Sequence, residues 1–100
     1  MSAMKRLFQL MAEKKASDIF LSVGSPINIK INGIAMPINQ QVMDSTNITN
    51  LLYEVLTDKQ KKEFEDTLEL NTAFPLPGVG SFRISAFRQK TTPALSLIHI

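Results

Sequence analysis

One hundred residues, 44% hydrophobic and 20% charged, describe a folded chain with one core, neither disordered nor large enough for two. Eleven Lys and Arg against nine Asp and Glu leave a net charge of +2 and no basic run able to track a phosphate backbone, which disfavours a nucleic-acid module. The absence of cysteine removes disulfides and thiolate metal sites, and fits a cytoplasmic location.

Met4, Leu7, Phe8 and Met11 recur at helical spacing and predict an amphipathic first helix ending near Lys15, packed on its own sheet. The apolar stretch is interrupted by Gln9 and closed by Glu13, Lys14 and Lys15, so it is too short for a signal core or a membrane span. Asp18 opens a short strand over 18–23, with Ile19, Leu21 and Val23 on one face, and Gly24, Ser25 and Pro26 break it as a turn. The expected duty of Asp18 is local, accepting backbone hydrogen bonds near the end of the first helix.

From Ile27 the chain alternates apolar and polar residues up to Asn32 and Gly33, a dipeptide suited to the two positive φ angles of a type I′ hairpin turn. A two-residue turn pairs Ile31 with Ile34, Ile29 with Met36 and Ile27 with Ile38, six apolar residues on one half-buried face. Residues 40–47 read as a polar connection holding the cap candidates Asp44, Ser45 and Thr46. Ile48, Leu51, Leu52, Val55 and Leu56 then form the stripe of a second helix. Thr57 with Gln60 forms a capping box that starts a third, whose thin apolar face is Phe64 and Leu68.

Residues 70–76 read as a strand, with Pro75 placing it at an edge or an end. After a turn over 77–80, Phe82, Ile84 and Ala86 point inward, while Arg83, Ser85, Phe87 and Gln89 point outward. Residues 95–100 can pair beside them as a last strand. The order predicts an α+β domain, an antiparallel sheet of about five to six strands with helices packed on one face.

Chemistry is sparse. A phosphate loop needs a glycine-rich turn with a Gly-Lys step before a helix, and the chain has no Gly-Lys dipeptide. The turns at Gly24 and Gly78 both lead into strands, so neither offers a helix N-terminus to an anion. His99 is the only histidine and lacks co-ligands, so no metal site and no catalytic residue is expected. Glu63, Glu65, Asp66 and Glu69 interleave with Lys59, Lys61 and Lys62 as a solvated helix face. Arg83 stands out as a planar donor in mid-strand, either lying across the sheet or offered to a neighbouring subunit or its phosphate.

The stretches ASDIFLSVGSPINIKINGIAMPI, LTDKQKKEFEDTLELNTAF and PGVGSFRISAFRQ together resemble the PilT/PilU family of type IV pilus retraction ATPases over nearly all of residues 4–89. Phe20 and the segment GIAMPI tilt the likeness toward the PilU branch. The resemblance implies that residues 1–100 are a PAS-like N-terminal domain, cut before a RecA-like domain that binds ATP and Mg. It implies twitching motility, a homo-hexamer and a cytoplasmic place at the inner-membrane base of the pilus machine. The partners it implies are the RecA-like domains of the same and the adjacent subunit, PilT, and the inner-membrane pilus platform, with no nucleic acid and no membrane insertion.

Under that resemblance Arg83 contacts the neighbour's nucleotide in trans, while Asp18, Gly24, Pro26, Asn32 and Gly33 are structural. Two positions depart from the family pattern: Ser81 stands where an arginine is common, and Ile98 and His99 stand where another is usual. The second departure suggests that residues 95–100 are not the native continuation. The alternative function is a stand-alone PAS-like small-molecule sensor or protein-interaction domain, whose hairpin face would line a cavity. Six aliphatic residues on that face instead predict a filled core.

Overall fold

The first helix, α1 (Ala3–Lys14), starts where the Ser2 hydroxyl accepts the Lys5 N–H at 3.1 Å and stops at Lys15, which caps it in the left-handed region. A computed structural model describes residues 2–100. Met4, Leu7, Phe8 and Met11 are buried, as their spacing requires. The carboxylate of Glu54 adds a second N-terminal cap by accepting the Met4 N–H at 2.8 Å. That bond ties α1 to the end of α2 (Ser45–Tyr53).

Six strands follow in the chain: β1 (Asp18–Ser22), β2 (Pro26–Ile31), β3 (Ile34–Val42), β4 (Glu69–Leu76), β5 (Gly80–Gln89) and β6 (Thr92–His99). They form one antiparallel sheet in the order β3-β2-β1-β6-β5-β4. The chain therefore leaves the centre toward one edge, crosses on α2 and α3 (Asp58–Thr67) to the other, and closes with β6 beside β1. Ile19, Leu21, Ile29, Leu95, Leu97, Phe82, Ile84 and Leu70 are buried on one face, beneath Met4, Phe8, Ile48, Leu52 and Phe64 of the helices. Phe8 lies 4.5 Å from Phe82 and 5.1 Å from Phe74 between ring centroids. The expected α+β architecture, with its helices on one face, is what the molecule adopts.

The hairpin turn forms as expected, with Asn32 at φ 51° and Gly33 at φ 80°, and Ile31 faces Ile34 and Ile29 faces Met36. The third expected pair, Ile27 with Ile38, is absent from the ladder. Pro37 still faces Asn28, but the interval Pro26 to Asn28 then faces the longer interval Pro37 to Val42. Past Pro37 the Asn39 side chain accepts the Gln41 N–H at 2.8 Å, a local turn that absorbs the extra residues as a bulge. β3 thus runs on through part of the polar segment expected to be a connection, and Asp44 caps α2 as one of its three candidates.

The hairpin face also differs from the filled core expected of it. Ile27 and Ile29 are buried, but Ile34 is 63% and Met36 42% exposed. The physical reason is reach: α1 lies over β1 and β6, so the outer half of the hairpin overhangs the helix layer. Three smaller differences share a cause in how elements end. Val23 lies exposed in the turn after β1, Val55 and Leu56 follow the end of α2, and Leu68 is the left-handed cap of α3 rather than part of its inner stripe.

Candidate functional site

The sheet's second face carries no helix, and the register aligns its residues into rows across the strands. Ala35, Lys30, Asp18, Ile98, Arg83 and Ala73 make one row from β3 to β4. Phe20, Ser96, Ser85 and Asn71 form the next, and Ser22, Ala94, Phe87 and Glu69 a third. Phe20 and Phe87 are 36% and 53% exposed on this face.

Arg83 stands where the alternation of β5 places it, outward and exposed, while Phe82 and Ile84 on either side of it are fully buried. Its cross-strand neighbours are Ala73 and Ile98, whose side chains offer no acceptor, and it enters no ion pair among the described residues. A guanidinium held on a rigid strand without an internal partner can present paired N–H groups to a phosphate or carboxylate from outside.

The remaining sequence-derived positions lie in turns and at strand starts and bond within the protein. Gly24, at φ 84°, donates its N–H to the Met43 carbonyl at 2.9 Å, and Ser25 donates to the Ser22 carbonyl at 3.4 Å. Those N–H groups are consumed within the protein, which agrees with reading the loop as a turn. Pro26 begins β2, where its missing N–H costs no ladder bond. Asp18 accepts the Ser17 hydroxyl at 2.6 Å, so its local bond runs to a side chain rather than to the expected backbone N–H. The cause is geometric: Ser17 gives its own N–H to the Lys30 carbonyl at 3.0 Å, leaving its hydroxyl as the nearest donor.

His99 stacks on Phe82 with ring centroids 4.8 Å apart, half-buried in a central strand. A Cβ on Gly80 would stand 3.0 Å from its Nε2, so the imidazole fills the space that the glycine leaves. Among the described residues no group of three His, Cys, Asp or Glu side chains could hold a metal ion, and no helix is long and apolar enough to cross a membrane.

A second polar cluster escaped the sequence. Arg88 points inward from β5 and lies over the Phe64 ring, 5.0 Å from its centroid. Beside it the Tyr53 hydroxyl donates to Glu65 at 2.9 Å, and Lys61 lies 5.6 Å from the Tyr53 ring. Burial raises the Tyr53 pKa above 10.0, the hydrogen bond to Glu65 and the charge of that carboxylate raise it further, and Arg88 opposes them. The signal was available, since 82, 84, 86 and 88 share a parity and Arg88 continues the inward row.

No family model matches the chain. It is 39% identical over 83 residues to the Pseudomonas aeruginosa type IV pilus retraction ATPase PilT, covering 83% of this chain and 24% of that protein. It is 32% identical over 96 residues to the Pseudomonas aeruginosa type IV pilus ATPase PilU, covering 96% of this chain and 25% of that protein. A twitching motility protein of Neisseria gonorrhoeae is 33% identical over 66 residues, 66% of this chain and 18% of that one. Identity is thus higher to PilT and extent greater to PilU. The chain spans about a quarter of the length of the first two. Its fold matches the pilus retraction motor PilT with bound ADP at a TM-score of 0.84, with 24% identity over 100% of this chain and 29% of that one. The ATPase DotB of Legionella pneumophila matches at 0.72, with 18% identity over 97% of this chain and 27% of that one.

Proposed function

This chain belongs to the PilT/PilU family of type IV pilus ATPases, as its N-terminal domain, and from that premise we propose that it is an assembly and coupling domain of a pilus retraction motor. In this reading the longer protein is a cytoplasmic homo-hexamer that hydrolyses ATP with Mg on a RecA-like domain downstream of residue 100. The present domain packs on the RecA-like domain of its own and the adjacent subunit and moves with ATP turnover. Arg83 then approaches the neighbour's nucleotide, where its charge meets the negative charge that builds on the transferring phosphoryl group. The inner-membrane pilus platform and PilT itself are the further partners of this reading.

The observation that carries it is Arg83 itself: exposed, without an internal partner, and fixed by a strand whose inward residues lie in the core. The filled layer between sheet and helices supports it over a small-molecule sensor, because Met4, Phe8, Met11, Ile48, Leu52, Phe64 and Phe82 are all fully buried there.

The test is Arg83→Ala in the full-length protein, with Arg83→Lys beside it. The reading predicts a kcat lowered on the order of 10²-fold or more for Ala. The isolated domain should hold its stability within about 0.5 kcal/mol, as exposed substitutions do. Unchanged turnover, or a large loss of domain stability, would assign Arg83 to the sheet alone.

A further inference from the structure

The two edges of the sheet carry surfaces that complement each other. At the β3 edge, the overhanging hairpin and α1 enclose an open groove of about 250 Å³ lined by Leu10, Ile31, Met36 and Ile38, with Lys14 at its lip. Lys15 follows Lys14 at the helix cap, and β3 carries no charged residue along its length. The groove suits a bulky side chain better than an added strand. In a two-residue hairpin the pair flanking the turn exchanges both bonds, so Ala35 and Pro37 face the free edge. Pro37 has no N–H to offer there, which blunts the edge against strand addition.

At the opposite edge, Leu68 joins α3 to β4 in the left-handed region, at φ 64°, with 38% of its surface exposed. A branched apolar residue is strained in that conformation, where Gly or Asn is the ordinary choice. Its backbone closes α3, the N–H donating to the Phe64 carbonyl at 2.8 Å, while its apolar side chain is left to the surface. Glu63 and Glu69 line the notch beside it. Neither they nor Lys14 and Lys15 enter an ion pair among the described residues.

We propose that the Leu68 corner of one copy of this chain seats in the hairpin groove of the next, with Glu63 and Glu69 meeting Lys14 and Lys15. Because the two surfaces lie on opposite edges, the contact is heterologous and propagates from copy to copy rather than closing as a two-fold dimer. It rests on these surfaces alone and stands whether or not the ATPase reading holds.

Sedimentation velocity of the 100-residue chain over a concentration series tests it. At low salt the species should grow past the dimer with concentration, and high salt should return them to monomer. Lys14→Glu with Lys15→Glu makes both surfaces acidic, and Glu63→Lys with Glu69→Lys makes both basic, so each double variant alone should stay monomeric. Mixing the two should restore association, since each groove then meets a corner of opposite sign. Leu68→Gly should weaken association at least tenfold while its Tm holds or rises, because the strain is relieved. A wild-type chain that is monomeric throughout would give the groove to another occupant and overturn the proposal. So would double variants that associate alone, a mixture that stays monomeric, or a Leu68→Gly chain that associates as the wild type does.

Discussion

Tyr53 is the single tyrosine of a chain without tryptophan, so its ionisation can be followed by ultraviolet absorbance with no other chromophore in the way. Burial and Glu65 hold its proton, and the titration midpoint should lie above 10.0. Glu65→Gln removes the carboxylate charge and should bring the midpoint down, while Arg88→Met should raise it. The linkage has a definite sign. A phenol whose folded pKa exceeds its unfolded one binds its proton more tightly in the fold. The stability it contributes is fully present below pH 10 and is lost as the pH rises through the folded value. A midpoint at or below that of a free tyrosine amide would contradict the cluster's geometry. At this scale the sequence was legible wherever side-chain parity decides direction. Parity along β5 puts Arg83 outward and, by the same count, Arg88 inward. The partners of Asp18 and Glu54 were not legible, because a carboxylate's nearest donor depends on how separate elements meet.

The elements divide by how locally they are specified. The capping box of α3 was readable from four residues and forms in full, the Thr57 hydroxyl accepting the Gln60 N–H at 3.2 Å and the Gln60 side chain accepting the Thr57 N–H at 2.9 Å. Thr57→Ala should cost about 1 kcal/mol in urea unfolding with an unchanged m-value, the usual loss for a cap. A shift near zero would mean that packing of Phe64 alone holds the helix. Gln60 also donates to the Thr72 hydroxyl at 3.2 Å, so Gln60→Ala removes a link to β4 as well as the cap and should cost more. The hairpin turn was as local and as legible, since both positive φ angles fall on Asn32 and Gly33. Beyond Pro37 the reading fails, because the bulge rests on a local turn closed by the Asn39 side chain rather than on apolar alternation. The exposure of Ile34 and Met36 failed for another reason: alternation tells which face a residue takes, not how far the covering helix extends.

At the scale of the whole molecule, the sheet order was the least legible feature. β6 was expected beside β5, and there it lies, but it also pairs with β1 to join the two halves of the sheet. Nothing local in residues 92–99 announces that pairing, which is a contact between the ends of the chain. Leu95 and Leu97 are nevertheless almost fully buried, so these residues are part of the core. The same sheet has one face sealed by helices and one face bearing Phe20, Phe87 and Arg83 without an intramolecular cover. That asymmetry leaves one face open to another domain or subunit, which the proposed assembly role needs if the nucleotide is bound by other residues.

Calorimetric titration of Mg and ATP into the isolated chain tests whether the nucleotide is bound by other residues. No saturable heat is expected, because the Gly24 and Ser25 N–H groups are bonded within the protein and the residues paired with Arg83 across the strands are the uncharged Ala73 and Ile98. A saturable one-to-one isotherm, abolished by Arg83→Ala, would show a complete nucleotide site within these hundred residues and contradict it.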